Sequence, residues 1–123
     1  MRNLFLIGSL AALALNSGLA LAHHGWADTE EEQFELTGVV VKTVSFAGPH
    51  AYLQIRDKED TVWTITLAPP TRTERYGLKE DTIPLGAEIT ASGHRSKDPK
   101  RYEVKTERVH YQGTVYNVYP DRD

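Results

Sequence analysis

The chain has no cysteine, and its single methionine is the first of its 123 residues. Thiol catalysis, iron–sulfur ligation, cysteine-type zinc sites and disulfide staples are therefore excluded, and stability has to come from one apolar core. A domain of about one hundred residues can bury enough surface for that. The common catalytic signatures are missing too. Away from the N-terminal segment the serines are Ser45, Ser92 and Ser96, and none stands in a G-x-S-x-G elbow. No H-E-x-x-H, G-x-G-x-x-G or phosphate-loop pattern occurs. An excess of positive charge is also absent: the formal net charge is −3 with histidine neutral, which gives no general attraction for nucleic acid or anionic membranes. These absences favour a binding module over an enzyme.

The one long apolar run lies at the start. Met1-Arg2-Asn3 is basic, Leu4 to Leu15 is apolar, Asn16, Ser17 and Gly18 interrupt it, and Ala20-Leu21-Ala22 has the small-x-small form that a signal peptidase accepts. Residues 1–22 are thus expected to be a signal peptide cut between Ala22 and His23, which places the protein in the periplasm or outside the cell. The competing reading is an uncleaved membrane anchor, for which the strongly apolar part is short against the ~20 residues a spanning helix needs. Cleavage leaves thirteen basic and seventeen acidic residues, a net charge of −4.

Residues 23–33 read as a lead-in, because Asp28-Thr29-Glu30-Glu31-Glu32 is charged and carries no apolar period. Residues 34–119 read as one domain. Phe34, Leu36, Gly38, Val40, Lys42, Val44 and Phe46 share a face if extended, which predicts a long first strand with a bend or bulge at Gly38. Ala47-Gly48-Pro49 breaks it, and a second strand follows over Ala51 to Arg56. From Thr61 to Leu67, Trp63, Ile65 and Leu67 alternate with Val62, Thr64 and Thr66, a third strand. Pro69-Pro70 stops the sheet, Thr71 to Tyr76 can form a short helix, and Gly77 closes it. A fourth strand is expected from Ala87 to about His94 and a fifth from about Tyr102 to Tyr111, with the residues from Tyr116 fraying or pairing at an edge. Three strands, one helix and two more strands is the order of a mostly β, five-stranded OB-fold-like barrel, with the helix between strands three and four. A small open sandwich is the alternative with the same strand count.

Several local motifs together resemble an uncharacterised family of bacterial exported proteins, a domain of unknown function. They are His23-His24-Gly25-Trp26, Gly48-Pro49-His50, Leu67-Ala68-Pro69-Pro70 with Arg72, Arg75 and Gly77-Leu78, and the later Gly86 and Gly93. The resemblance implies export and a small β-barrel-like domain, and brings no reaction with it. Gly48 departs from it, since members usually carry Asn before the Pro-His pair.

The histidines carry the sharpest chemistry. Once exposed by cleavage, His23 presents an α-amine and an imidazole on one residue, and His24 offers an arrangement through the intervening amide. Nitrogen sets of this kind suit Cu(II), which tops the divalent affinity order. His50, at the mouth of the second strand, could add a ligand if the lead-in folds back over the barrel. The bland alternative is a flexible tail whose Trp26 packs it onto the domain. His94 and His110 read as surface or strand-end residues. Arg72 and Arg75 adjoin on the expected helix and, with Lys79, could hold an anionic group, although pairing with Glu74, Glu80 or Asp81 is the plainer expectation. The expected function is a periplasmic binding or accessory domain with Cu as the candidate metal, using His23, His24 and His50, with Trp26 and Pro49 beside them. The alternative is an interaction module that docks a membrane or redox partner, a periplasmic or membrane protein, without metal.

Overall fold

The computed structural model describes residues 26–122, so His23 and His24 lie outside the described residues. The elements are β1 (Phe34–Ser45), β2 (Tyr52–Arg56), β3 (Val62–Thr66), α1 (Pro70–Arg75), β4 (Glu88–Arg95), β5 (Glu103–Tyr111) and β6 (Thr114–Asn117). Antiparallel pairing runs β3-β2-β1-β4-β5-β6, and a parallel pairing of β3 with β5 closes the first five strands into a barrel. The fold is thus the five-stranded, OB-like barrel with one helix between β3 and β4 that the strand order implied.

β1 is long because it serves both sides of the barrel. Its first half pairs with β4 and its second half with β2, and Val39 faces both Arg56 and Glu88. Gly38 sits at that crossing. A β-carbon there would lie 2.6 Å from the Arg56 carbonyl oxygen, so only hydrogen fits where the strands pass. Irregularities on either side of Lys42 break the simple alternation. Val40 and Val44 point into the core as their spacing suggested, while Lys42 turns out to solvent, where its ammonium donates to the Tyr52 hydroxyl at 2.6 Å.

The core is built from alternate positions: Leu53 and Ile55 of β2, Trp63 and Ile65 of β3, Ile89 and Ala91 of β4, Val104 and Val109 of β5. Leu67, Leu78 and Ile83, around the helix, join it. Pro70 opens α1, where its missing N–H costs nothing, and Gly77 leaves it at φ +104°. Thr73 is fully buried, and its hydroxyl donates to the Ala68 carbonyl at 2.8 Å, tying the helix to the end of β3. Thr73→Val should lower the unfolding free energy by about 1 kcal/mol, the net value of one such bond. Urea denaturation of the two proteins measures it.

The C-terminal part is more ordered than a fraying end. Gln112 and Gly113 both have positive φ, the geometry of a two-residue hairpin turn matched to strand twist. β6 therefore folds back onto β5, and Val118 just beyond it is fully buried.

Candidate functional site

The most heavily furnished surface is the outer side of β5, where the alternation of the strand changes phase. Ser92 of β4 faces Arg108, but the next residue, Gly93, faces Thr106, so Glu107 is an extra residue in β5. Val104 and Thr106 point into the core before this bulge and Val109 does so after it. The bulge aims the Glu107 side chain outward, yet it is fully buried, because the lead-in and the C-terminal tail cover it.

A buried carboxylate needs donors from every side. Gln33 of the lead-in donates its amide at 3.1 Å to one oxygen. Arg122 of the tail donates Nε at 3.1 Å to the other, which also receives His94 Nε2 at 3.2 Å. Arg108 stands 3.5 Å from the first oxygen and donates to the Arg122 carbonyl at 2.6 Å. Burial alone would raise the Glu107 pKa, but the bonds from Gln33, Arg122 and His94 outweigh it, and the group is held below its ordinary value. The carboxylate stays ionised. Its backbone carbonyl is used too, accepting from Val118 N–H at 2.9 Å.

Trp26 lies over this cluster. Its ring meets His94 edge-on at 5.8 Å and Tyr119 edge-on at 5.1 Å between centroids. The Arg122 guanidinium stacks 3.9 Å from its centre and the Lys105 ammonium lies 5.0 Å from it. His94 Nδ1 faces the backbone carbonyls of Glu30 at 2.9 Å and Glu32 at 3.1 Å, and Glu30 N–H donates to the Arg95 carbonyl at 2.8 Å. Glu30, Glu31 and Glu32 are exposed, as their charge suggested, but the lead-in backbone is docked on the end of β4. From Trp26 on, the lead-in lies against β4 and β5. His94 is a strand-end residue of β4, as expected, but not a surface one: it is a buried partner of a buried carboxylate.

Lys105 links this cluster to His50. The His50 pKa is lowered, first by burial and then by the Lys105 charge, against a smaller opposite pull from Glu103. Glu103 in turn receives the Thr66 hydroxyl at 2.5 Å. His50 Nδ1 lies 3.0 Å from the Leu67 carbonyl, which can only accept, so Nδ1 carries the proton. Nε2 is left with its lone pair, and no described residue bonds to it. His50 lines an open, mostly apolar hollow of about 270 Å³ with Gly48, Pro49, Tyr52, Thr64 and Thr66. A β-carbon at Gly48 would make ordinary contact with the His50 carbonyl oxygen at 3.4 Å, so this loop accommodates a side chain there.

The two arginines of α1 do not pair with Glu74, Glu80 or Asp81 among the described residues. Arg72 instead lies over the rings of Tyr119 at 5.3 Å and Tyr76 at 5.9 Å, and Arg75 is exposed. A planar guanidinium beside two phenols gains by stacking what a solvated ion pair would scarcely supply. Of the residues singled out in the sequence, the fold brings Trp26 and His50 to a common neighbour, Lys105, and Arg72 to Tyr119, which Trp26 also touches. Gln33, Lys105, Glu107 and Arg122 went unmarked. The one sequence signal for them is the parity change within β5, from Val104 and Thr106 to Val109 and Tyr111.

Compared with known families, residues 11–105 match the model of a family described as a "Family of unknown function (DUF6152)". No curated protein matches the chain as a relative.

Proposed function

The chain belongs to that family of unknown function, DUF6152, so its role has to be argued from its own side chains, and we propose that it is an exported binding or accessory domain that holds copper at its mature N-terminus. In this reading the signal peptide is removed between Ala22 and His23, the domain works in the periplasm, and the amine and imidazole of His23, with His24 as the variant arrangement, bind Cu(II) together with His50.

The observation that carries the proposal is the state of His50. An imidazole that donates one N–H to a backbone carbonyl and points the other nitrogen's lone pair outward is in the form of a metal-ligating histidine. Its lowered pKa keeps that lone pair available at a more acid pH than a free imidazole allows. The Lys105 charge opposes a cation, and Glu103 on the same face offsets it.

The test is Cu(II) titration, followed by calorimetry and EPR, of protein recovered from the periplasm with its first residue established by mass spectrometry. One equivalent should bind with a tetragonal nitrogen signal. His50→Ala should weaken binding about tenfold or more, as losing a ligand or its support does. Acetylating the α-amine of His23 should weaken it further, because an amide formed there no longer offers the amine lone pair to the metal. Equal binding by the acetylated protein would overturn the terminal site, and no binding at all would favour the metal-free interaction module.

A further inference from the structure

His94 has hydrogen-bond acceptors at both ring nitrogens. Nδ1 faces two backbone carbonyls, of Glu30 and Glu32, at 2.9 and 3.1 Å. Nε2 faces the Glu107 carboxylate at 3.2 Å. Carbonyl oxygens cannot donate, and an ionised carboxylate cannot either, so each contact is a hydrogen bond only if that nitrogen carries a proton. An imidazole with hydrogen on both nitrogens is a cation. We propose that the His94–Glu107 pair is a proton-operated clasp on the lead-in: residues 26–33 dock on β4 and β5 while His94 carries both ring protons, and they lift when it gives one up.

The direction of release follows from which proton His94 keeps. Nε2 faces a full negative charge and Nδ1 only carbonyl dipoles, so the neutral ring keeps its hydrogen on Nε2. The Nδ1 lone pair then points at two carbonyl oxygens, and the contact that held the lead-in becomes repulsive. Trp26 is edge-on to the same ring and feels the change directly.

The other charged groups at this place are fixed or opposed. Arg122 and Arg108 both lie against Glu107 and do not titrate. Lys105, paired across the ladder with His94, lies over Trp26 and is electrostatically coupled to Glu103, Asp28 and Arg122. Gln33 is neutral. The device operates whether or not the leading residues take a metal.

Protein stripped of metal by a chelator and labelled with ¹⁵N reports on both halves of the claim. Long-range imidazole correlations between about pH 5 and pH 9, the range in which histidine changes charge, give the protonation of each His94 nitrogen. Hydrogen exchange of the Glu30 amide, which donates to Arg95, reports docking. Both His94 nitrogens should be protonated at the acid end, with Glu30 protected. Once corrected for the intrinsic dependence on pH, that protection should fall tenfold or more as His94 loses a proton. In His94→Gln the fall should vanish, and in Glu107→Gln its dependence on pH should change, since the carboxylate that Nε2 faces is gone. A neutral His94 with Glu30 still protected, or protection that ignores the His94 titration, would overturn the clasp. The unsubstituted protein alone decides this if either variant fails to fold.

Discussion

Glu107→Ala should destabilise the fold by about 3–5 kcal/mol, the range for breaking a buried ion pair by removing one partner. The carboxylate side chain is fully buried, and its loss strands a nearly buried imidazole together with the Arg122 head and the Gln33 amide. The lead-in and the tail both depend on it, so the damage spreads to two segments that are distant in sequence. Urea denaturation should show a lower midpoint. The pH dependence has a definite sign. Because the Glu107 pKa is depressed in the fold, its contribution is present above the ordinary carboxylate range and is lost as pH falls through the lowered value. The deficit of the alanine variant should therefore shrink in acid. A deficit under about 1 kcal/mol at neutral pH, the scale of a surface ion pair, would mean that the cluster is not holding the segments.

Gly93→Ala should be comparably severe, about 3 kcal/mol, at the upper end of the cost of overpacking. Gly93 stands opposite the β5 bulge, and a β-carbon there would lie 2.1 Å from the Lys105 carbonyl oxygen and 2.8 Å from the Thr106 α-carbon. Those are backbone atoms, so relief requires parting β4 from β5 beside Glu107. Gly48→Ala is the control. Its β-carbon would meet nothing closer than 3.4 Å, and its stability should stay within about 0.5 kcal/mol of the parent. Thermal or urea unfolding of the three proteins compares them directly, and a Gly93→Ala protein as stable as the parent would contradict the close approach of β4 and β5.

How much of this could be read from residues alone depends on range. Short-range alternation identified β3 and turn residues bounded β2 and β4; in β2 and β3, Leu53, Ile55, Trp63 and Ile65 are buried one position in two. Proline and glycine marked the helix, and the long bent first strand with Gly38 at its crossing follows from the same pattern. Lys42 broke the series because irregular pairing on both sides of it releases the side chain, which spacing does not reveal. The parallel contact of β3 with β5 joins segments with no shared pattern. The same limit hid Glu107. A glutamate between two polar or charged neighbours reads as solvated, and only the return of the two chain ends over it makes it buried. His50 stood out as the residue at the mouth of a strand, but its proton position depends on the Leu67 carbonyl seventeen residues away. His23 and His24, on which the copper proposal also turns, lie outside the described residues.

Arg122 stacked on Trp26 has a kinetic corollary. A ribosome makes the lead-in well before the carboxylate on which it closes, and Arg122 shortly after that carboxylate. The lead-in therefore has nowhere to settle until β5 and the segment through Arg122 have been made. Its seating should be a late event in maturation, a closing stitch rather than a nucleus.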